Sequence, residues 1–472
     1  MVRVTSTDTQ SAAGGWRDLL GPKYLGASTV LAGGVALYAT NEFLTISLLP
    51  SAVAEIGGQR LYAWVTTVYL VASVVAATTV SATLSRFGPR WSYLLALGVF
   101  GAGSLFAMFA PTMEFLLVGR AVQGAGGGVL AGLGYAVINS ALPQSLWTKA
   151  SALVSAMWGV GTLLGPAAGG LFSQFGSWRW AFGVLAIFAV LMAALVPFAL
   201  PARADAERPP RDRIPVWSLL LLGSAALVVS VAGIPSSWIW TAALLSAGAV
   251  LVAAFIVVDR RTKAAVLPPT AFRPGPLKWI YLTLGLLMAA TMVDMYVPFF
   301  GQRLAHLMPV AAGFLGVSLA VGWTVGEITS ASMTKPRVIA TIVAVAPLVM
   351  AAGLTLAAVS QVDDASIAVI AVWVLALLIT GTGVGMAWPH LSAWAMGCVD
   401  DPTEGSRAAA AINTVQLICG AFGAGLAGVI VNMTDRGDAT AARWAFACFA
   451  ALAALGVVAS VRSTRRTDLQ HR

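Results

Sequence analysis

Charge is scarce in this chain: only 10% of its 472 residues are Asp, Glu, Lys or Arg, against 58% hydrophobic. Cysteine is nearly absent, and three of them (Cys398, Cys419, Cys448) imply no disulfide framework. Three scattered His and three scattered Cys offer no metal cluster. No Walker sequence occurs. The run Gly124-Ala125-Gly126-Gly127-Gly128 lies inside an apolar window, not between a strand and a helix, so it is no nucleotide loop. No window alternates polar and apolar residues as a half-buried strand does. These lacks argue against a soluble enzyme, and no cofactor is expected.

What fills the chain is apolar. Mean hydropathy is +0.85, and windows of about 20 residues, the length that crosses ~30 Å of hydrocarbon as helix, recur throughout. They fall at 27–49, 62–83, 91–110, 113–136, 148–173, 180–200, 215–234, 238–258, 278–300, 308–331, 337–359, 365–388, 405–431 and 440–461. The expectation is an all-α membrane protein with 14 transmembrane helices. The 48 Gly and 22 Pro suit helices that pack closely and break locally.

Two charged, Pro-rich stretches, Pro201 to Ile214 and Asp259 to Pro276, bracket the seventh and eighth windows. The layout expected is a cytoplasmic tail (1–26), a six-helix bundle (27–200), connectors carrying a two-helix insert (201–276), a second six-helix bundle (277–461) and a cytoplasmic tail (462–472). Weak self-similarity supports two related bundles. Ala150 to Gly170 aligns with Ala408 to Gly428, so that Gly165 matches Gly423 and Gly170 matches Gly428.

With the N-terminus cytoplasmic, 22 of the 28 Lys and Arg lie on the inner side, five outside, and Arg120 within the membrane. That satisfies the positive-inside rule and puts both termini in the cytoplasm. The net charge of +9 then reports topology and anionic lipid headgroups, not nucleic acid. The polar first 25 residues have no apolar core, so the first helix is itself expected to be the insertion signal.

Against so apolar a background the few ionisable residues within windows stand out: Glu42, Asp294, Glu327 and Arg120. Acids at such depth are expensive and usually face a cavity or partner on an ion or substrate path. A carboxyl group sheltered from water holds its proton more firmly than one in bulk solvent, which suits exchange near neutral pH. Arg120 cannot shed its proton and needs an acid, water or carbonyls, and Glu42 is its expected partner. Asp294 precedes Pro298 in the ninth window much as Glu42 precedes Pro50 in the first, so the two acids should face each other across a central cavity. Glu327, nearer the cytoplasm, could instead snorkel to the interface. Gly161, Gly165 and Gly169 recur every four residues, baring one helix face, and Pro166 permits a kink.

Three ordered motifs resemble the major facilitator superfamily, specifically its drug:proton antiporter branches with 14 transmembrane helices. Ser81-Ala82-Thr83-Leu84-Ser85-Arg86-Phe87-Gly88-Pro89-Arg90 is similar to the cytoplasmic G-x-L-x-D-R-x-G-R-R signature, with Ser85 where the family has its acid. Arg120 to Gly126 resembles R-x-x-Q-G-x-G, and Gly161 to Gly170 resembles the antiporter G-x-x-x-G-P-x-x-G-G pattern. Asn41 stands where the 14-helix branch more often has Asp. The resemblance implies two bundles working by alternating access. Arg86, Gly88 and Arg90, with Gly161, Gly165, Pro166, Gly169 and Gly170, would act as gating residues, the glycine face sealing the cytoplasmic exit. Tyr38, Asn41, Gln123, Trp158, Tyr296, Trp323, Trp388, Asn413 and Gln416 are candidates to line the substrate cavity.

The function expected is proton-coupled export of amphipathic small molecules or drugs from a bacterial inner membrane, by a monomer, with Glu42, Asp294, Arg120 and Glu327 coupling protons. Export or flipping of a lipid, glycolipid or dedicated metabolite is the alternative, and a non-transporting receptor or scaffold on the same fold is a third reading.

Overall fold

The computed structural model describes residues 15–201, 214–234, 237–262, 265–398, 402–434 and 436–470. Most of the first connector and the chain ends lie outside them, and among the described residues there is helix but no strand. The long helices are α1 (Leu25–Ile56), α2 (Tyr62–Ala77), α3 (Val80–Met108), α4 (Met113–Ala136), α5 (Trp147–Phe175), α6 (Trp178–Ala199), α7 (Val216–Val231) and α8 (Trp238–Arg261). They continue with α9 (Leu277–Leu304), then α10 (Pro309–Ala331), α11 (Pro336–Val359), α12 (Ile367–Gly397), α13 (Pro402–Asn432) and α14 (Asp438–Gln470).

Local chemistry sets the ends. Gly57 and Gly58 take φ of 72° and 79° to turn the chain out of α1. Thr112 caps α4 by accepting from Phe115 N at 3.4 Å, and Ser177 caps α6 by accepting from Arg179 N at 3.3 Å. Proline opens α10 and α11 at a position whose amide would have no partner.

Among the described residues, twelve helices are long and apolar enough to cross a bilayer, against the fourteen expected. The two outside that set are α1, whose middle carries Asn41 and Glu42, and α7, which has 16 residues. Successive helices run in alternate directions. The face where α1 begins is called proximal below, and the face of Gly57 is called distal.

Helices α1 to α6 pack among themselves, as do α9 to α14. The two groups meet along α2 with α13 and along α5 with α10. Near the distal face Tyr62 stacks on Tyr296 at 4.7 Å and donates its hydroxyl to Met295 O at 3.2 Å, while Asn432 Nδ2 donates to Arg60 O at 2.9 Å.

The insert packs as a pair, α7 on α8, with α7 lying against both α2 and α13. Trp64 Nε1 donates to Ser230 O at 3.1 Å, and Ser230 Oγ donates to Thr67 Oγ1 at 3.1 Å. Gly425 of α13 leaves the room that Ser230 occupies. At the proximal end the buried Asp259 accepts from Ser218 Oγ at 2.7 Å and from Val266 N and Leu267 N at 2.8 and 3.0 Å. That carboxylate fixes the chain as it leaves α8, because each of its bonds goes to a segment it must hold.

Candidate functional site

Arg120 enters the six-helix core from α4 and is 1% exposed. Its charge is met by neutral groups: Nη1 donates to Asn41 Oδ1 at 3.0 Å and to Gln123 Oε1 at 2.5 Å, and Nε donates to Val65 O at 3.3 Å. The guanidinium lies over the Tyr69 ring at 4.1 Å. Gln123 is held in turn by Ser104 Oγ at 2.8 Å. Among the described residues the ion pairs are Arg179–Glu55 and His306–Asp364, both away from this core. The expected Glu42–Arg120 pair is therefore not made. Helical rotation explains why: Asn41, one residue earlier, points at Arg120, and Glu42 stays within electrostatic reach with Oε2 buried and unpartnered.

Two of the expected aromatic residues, Tyr38 and Trp158, lie beside this network. Tyr38 stacks on Tyr69 at 5.6 Å and meets Trp158 edge-on at 5.5 Å. Tyr69 was not singled out by sequence, although a buried Arg on a neighbouring helix is a reason to look for an aromatic face.

Asp294 sits where α9 breaks. An α-helix, Leu277–Thr291, gives way to a 3₁₀ stretch, Met292–Tyr296, and resumes as Val297–Leu304. Pro298 is the cause: it has no N–H for the Asp294 carbonyl, which accepts instead from Val297 N in the tighter register. Asp294 Oδ1 is buried and unpartnered. It borders a cavity of ≈ 20 Å³ between the two bundles, with Phe43 and Ser47 of α1, Thr162 of α5, and Gly313 and Gly316 of α10. The expectation that the two acids face each other across one cavity is thus not met here: Phe43, Ile46 and Ser47 of α1 line it, and Glu42 does not.

The glycine face of α5 lies on α1. A Cβ at Gly161 would meet Ala39 Cβ at 2.6 Å, and one at Gly165 would meet Phe43 Cβ at 2.6 Å and Leu44 N at 2.8 Å. Gly169 opposes Leu44 O and Ser47, and Gly170 opposes Val310 at the distal start of α10. Ser47 Oγ donates to Pro166 O at 3.1 Å. The seam thus runs from mid-membrane towards the distal face rather than to the proximal exit expected of it, because the bare face matches Ala39–Ser47 and not the start of α1.

Two six-helix groups with buried polar centres on α1, α4 and α9 fit a known family, whose profile, the Major Facilitator Superfamily, matches residues 31–424. The chain belongs to that superfamily. It is 64% identical over 442 residues to a probable multidrug-efflux transporter of Mycobacterium tuberculosis H37Rv, covering 93% of this chain and 94% of that one. It is 24% identical over 357 residues to the multidrug transporter protein MdtP of Bacillus subtilis, covering 73% of this chain and 64% of that one. The fold is similar to a bacterial homologue of the human lysosomal transporter Spinster in an inward-facing, unoccupied conformation, with a TM-score of 0.68 at 13% identity over 94% of this chain and 98% of that one. The nucleoside transporter NupG gives 0.66 at 11% identity, covering 94% and 99%.

As a major facilitator transporter the chain has an unusual proximal signature. Gly88, at φ 76°, kinks α3, and Pro89 starts the following helix. Arg90 Nε donates to Leu200 O at 3.1 Å, tying α3 to the end of α6 within one bundle. Arg86 is exposed over Phe87, and Ser85 bonds locally to Ala82 O at 3.0 Å. Among the described residues no ion pair forms at this loop.

In the second bundle Trp323 and Trp388 pack at 5.2 Å, and Trp323 Nε1 donates to Glu327 Oε2 at 3.0 Å. Glu327 is half-buried beside these indoles rather than reaching into solvent alone. His390 of α12 is buried and shares a 2.7 Å hydrogen bond with Ser330 Oγ. Tyr296 packs on Tyr62 and Phe300 and so belongs to the bundle junction. Asn413 is exposed and Gln416 half-buried on α13, apart from the Arg120 network.

Proposed function

We propose that this transporter exports amphipathic small molecules by proton-coupled alternating access across a bacterial cytoplasmic membrane, with both termini in the cytoplasm. It acts as a monomer, with anionic headgroups against its basic proximal side and no cofactor beyond the proton gradient. The observation that carries this reading is the buried, unpartnered Oδ1 of Asp294 at a helix break between the two bundles. A group so placed is tolerable when protonated or paired and unfavourable otherwise, so its proton is linked to how the bundles close. The 64% identity to a probable multidrug-efflux transporter supports the substrate class.

Glu42 supplies a second exchangeable proton beside Arg120. When the carboxyl is ionised it competes with Asn41 for the guanidinium, and when neutral it leaves Arg120 on Asn41, Gln123 and Val65. Because Asn41, Glu42, Phe43 and Ser47 follow one another along α1, a shift of that helix reaches both acids. Half-buried Trp158 on one side and Trp323, Trp388 and Glu327 on the other provide aromatic and acidic surface for amphipathic, often cationic cargo, with Tyr38 packed behind Trp158.

The test is substrate uptake into inverted vesicles driven by a pH gradient. Glu42→Gln and Asp294→Asn should each abolish gradient-driven accumulation while leaving substrate binding intact. Unchanged accumulation in both variants, or transport indifferent to an uncoupler, would defeat the coupling assignment.

A further inference from the structure

We propose that the cavity between Ser47, Thr162 and Asp294 is a binding site for a sodium-sized monovalent cation, which a proton on Asp294 replaces. The inference rests on the reading of Asp294 as an ion-coupling residue. What is new is the second ion and the oxygens that hold it.

The lining is unusual in what it can offer. Ser47 Oγ commits its hydrogen to Pro166 O at 3.1 Å, and Thr162 Oγ1 commits its hydrogen to Trp158 O at 2.9 Å. Both hydroxyls are therefore left with lone pairs only. Asp294 Oδ1 has no hydrogen-bond partner. With the carboxyl ionised, every polar side chain on the lining is an acceptor, and nothing there donates. A water could satisfy two acceptors but would leave the carboxylate's charge uncompensated in a medium that penalises it. A monovalent cation satisfies the oxygens and cancels the charge. A divalent ion would leave a net positive charge in the same place.

Size and placement agree. The cavity, ≈ 20 Å³, admits one water-sized guest. Two glycines on α10, beside Val317 and Ala320, keep the space open: a Cβ at Gly316 would stand 3.7 Å from Asp294 Oδ1, and one at Gly313 would strike Ser47 Oγ. Hard oxygens of carboxylate and hydroxyl type suit an alkali ion rather than a transition metal. Two of the ligands belong to the first bundle and one to the second, so the bound ion bridges the halves on the distal side of the membrane centre.

Asp294 is the sole titratable residue on the lining. The titratable groups nearest in sequence on these helices are directed elsewhere: Glu42 of α1 towards the Arg120 network, and Tyr296 of α9 onto Tyr62. Competition between the ion and a proton is therefore set at one carboxyl group.

The experiment is thermal unfolding of the purified full-length protein in nanodiscs, titrated with NaCl against choline chloride at matched ionic strength, from mildly acidic to alkaline pH. Sodium should raise Tm saturably, and more so as pH rises. Ser47→Ala and Thr162→Val should each weaken the midpoint concentration about tenfold, the loss of one oxygen contact to a charge. Gly316→Ala, which keeps all three oxygens but fills the space, should blunt the response, and Asp294→Asn should remove it. The inference is overturned if sodium and choline act alike on the unmodified protein at every pH, or if Asp294→Asn responds as it does. Proton-driven export measured in sodium-free medium separates the two readings. Its persistence without any sodium response sinks only the cation site, whereas a sodium response with Asp294→Asn still exporting sinks only the coupling role.

Discussion

The seam between α1 and α5 gives a prediction with its control on the same helix. At Gly165 an added Cβ would lie 2.6 Å from Phe43 Cβ and 2.8 Å from Leu44 N. Ordinary carbon contacts are about 3.5–4.0 Å, so α1 must retreat by about 1 Å. Overpacking of that kind costs ~1–3 kcal/mol. The change from glycine to alanine returns up to ~1 kcal/mol of helix propensity, leaving a net loss of ~0–2 kcal/mol for Gly165→Ala. The displacement matters more than the stability. Asn41 rides on α1, and its 3.0 Å bond to Arg120 would stretch towards 4 Å, roughly the point at which it ceases to be a hydrogen bond. Gly159, six residues earlier on α5, has nothing within 4 Å of its would-be Cβ. Gly159→Ala should be neutral or slightly stabilising and transport normally. Tm in detergent and vesicle export measured on both variants decide the matter: equal behaviour of Gly165→Ala and Gly159→Ala would refute the seam as the element that positions Asn41.

Arg120→Lys keeps the charge but cannot span Asn41 Oδ1, Gln123 Oε1 and Val65 O together. At ~1.5–3 kcal/mol per bond to a charged group, the loss of one or two should lower unfolding stability by ~2–5 kcal/mol, and a Tm equal to that of the unmodified protein would show that the fork is dispensable. Ser230→Ala combined with Trp64→Phe removes two bonds between α7 and α2 at ~1 kcal/mol each, enough to shift a two-state equilibrium roughly 30-fold. Spin labels at the distal ends of α2 and α13 should report wider separation, and an unchanged distance distribution would mean that α7 carries no restraint. Trp323→Phe keeps the ring but removes the donor to Glu327 Oε2, so affinity for cationic substrates should fall while neutral ones bind as before. Equal loss for both classes would count against Glu327 as the anionic contact.

Helix positions were legible because membrane length and hydropathy are one-dimensional properties: 113–136 matches α4 residue for residue. That Arg120 would need buried partners was legible too, since few side chains are so expensive in hydrocarbon. Its partner was not. Whether Asn41 or Glu42 faces α4 depends on the rotation of α1 about its axis, about 100° per residue, and hydropathy carries little of that phase when the helix is apolar all round. The same ambiguity separated Glu42 from the Asp294 cavity and moved the glycine seam to the distal half. The break at Asp294 had a signal in Pro298, four residues on, whose missing N–H predicts an orphaned carbonyl. Tyr69 had none of its own; only the buried guanidinium above it reveals its part.

Ser230 touches both halves of the molecule, gripping α2 through Trp64 and Thr67 and resting in the hollow left by Gly425 of α13. When the distal ends part, the inserted pair can travel with only one of them. The abandoned side then presents bare peptide and small residues to the hydrocarbon, and acyl chains must flow in to fill the cleft. Turnover thereby acquires a dependence on how tightly the surrounding lipids pack, so that stiff or highly ordered bilayers should slow the cycle even when cargo and driving ion are plentiful.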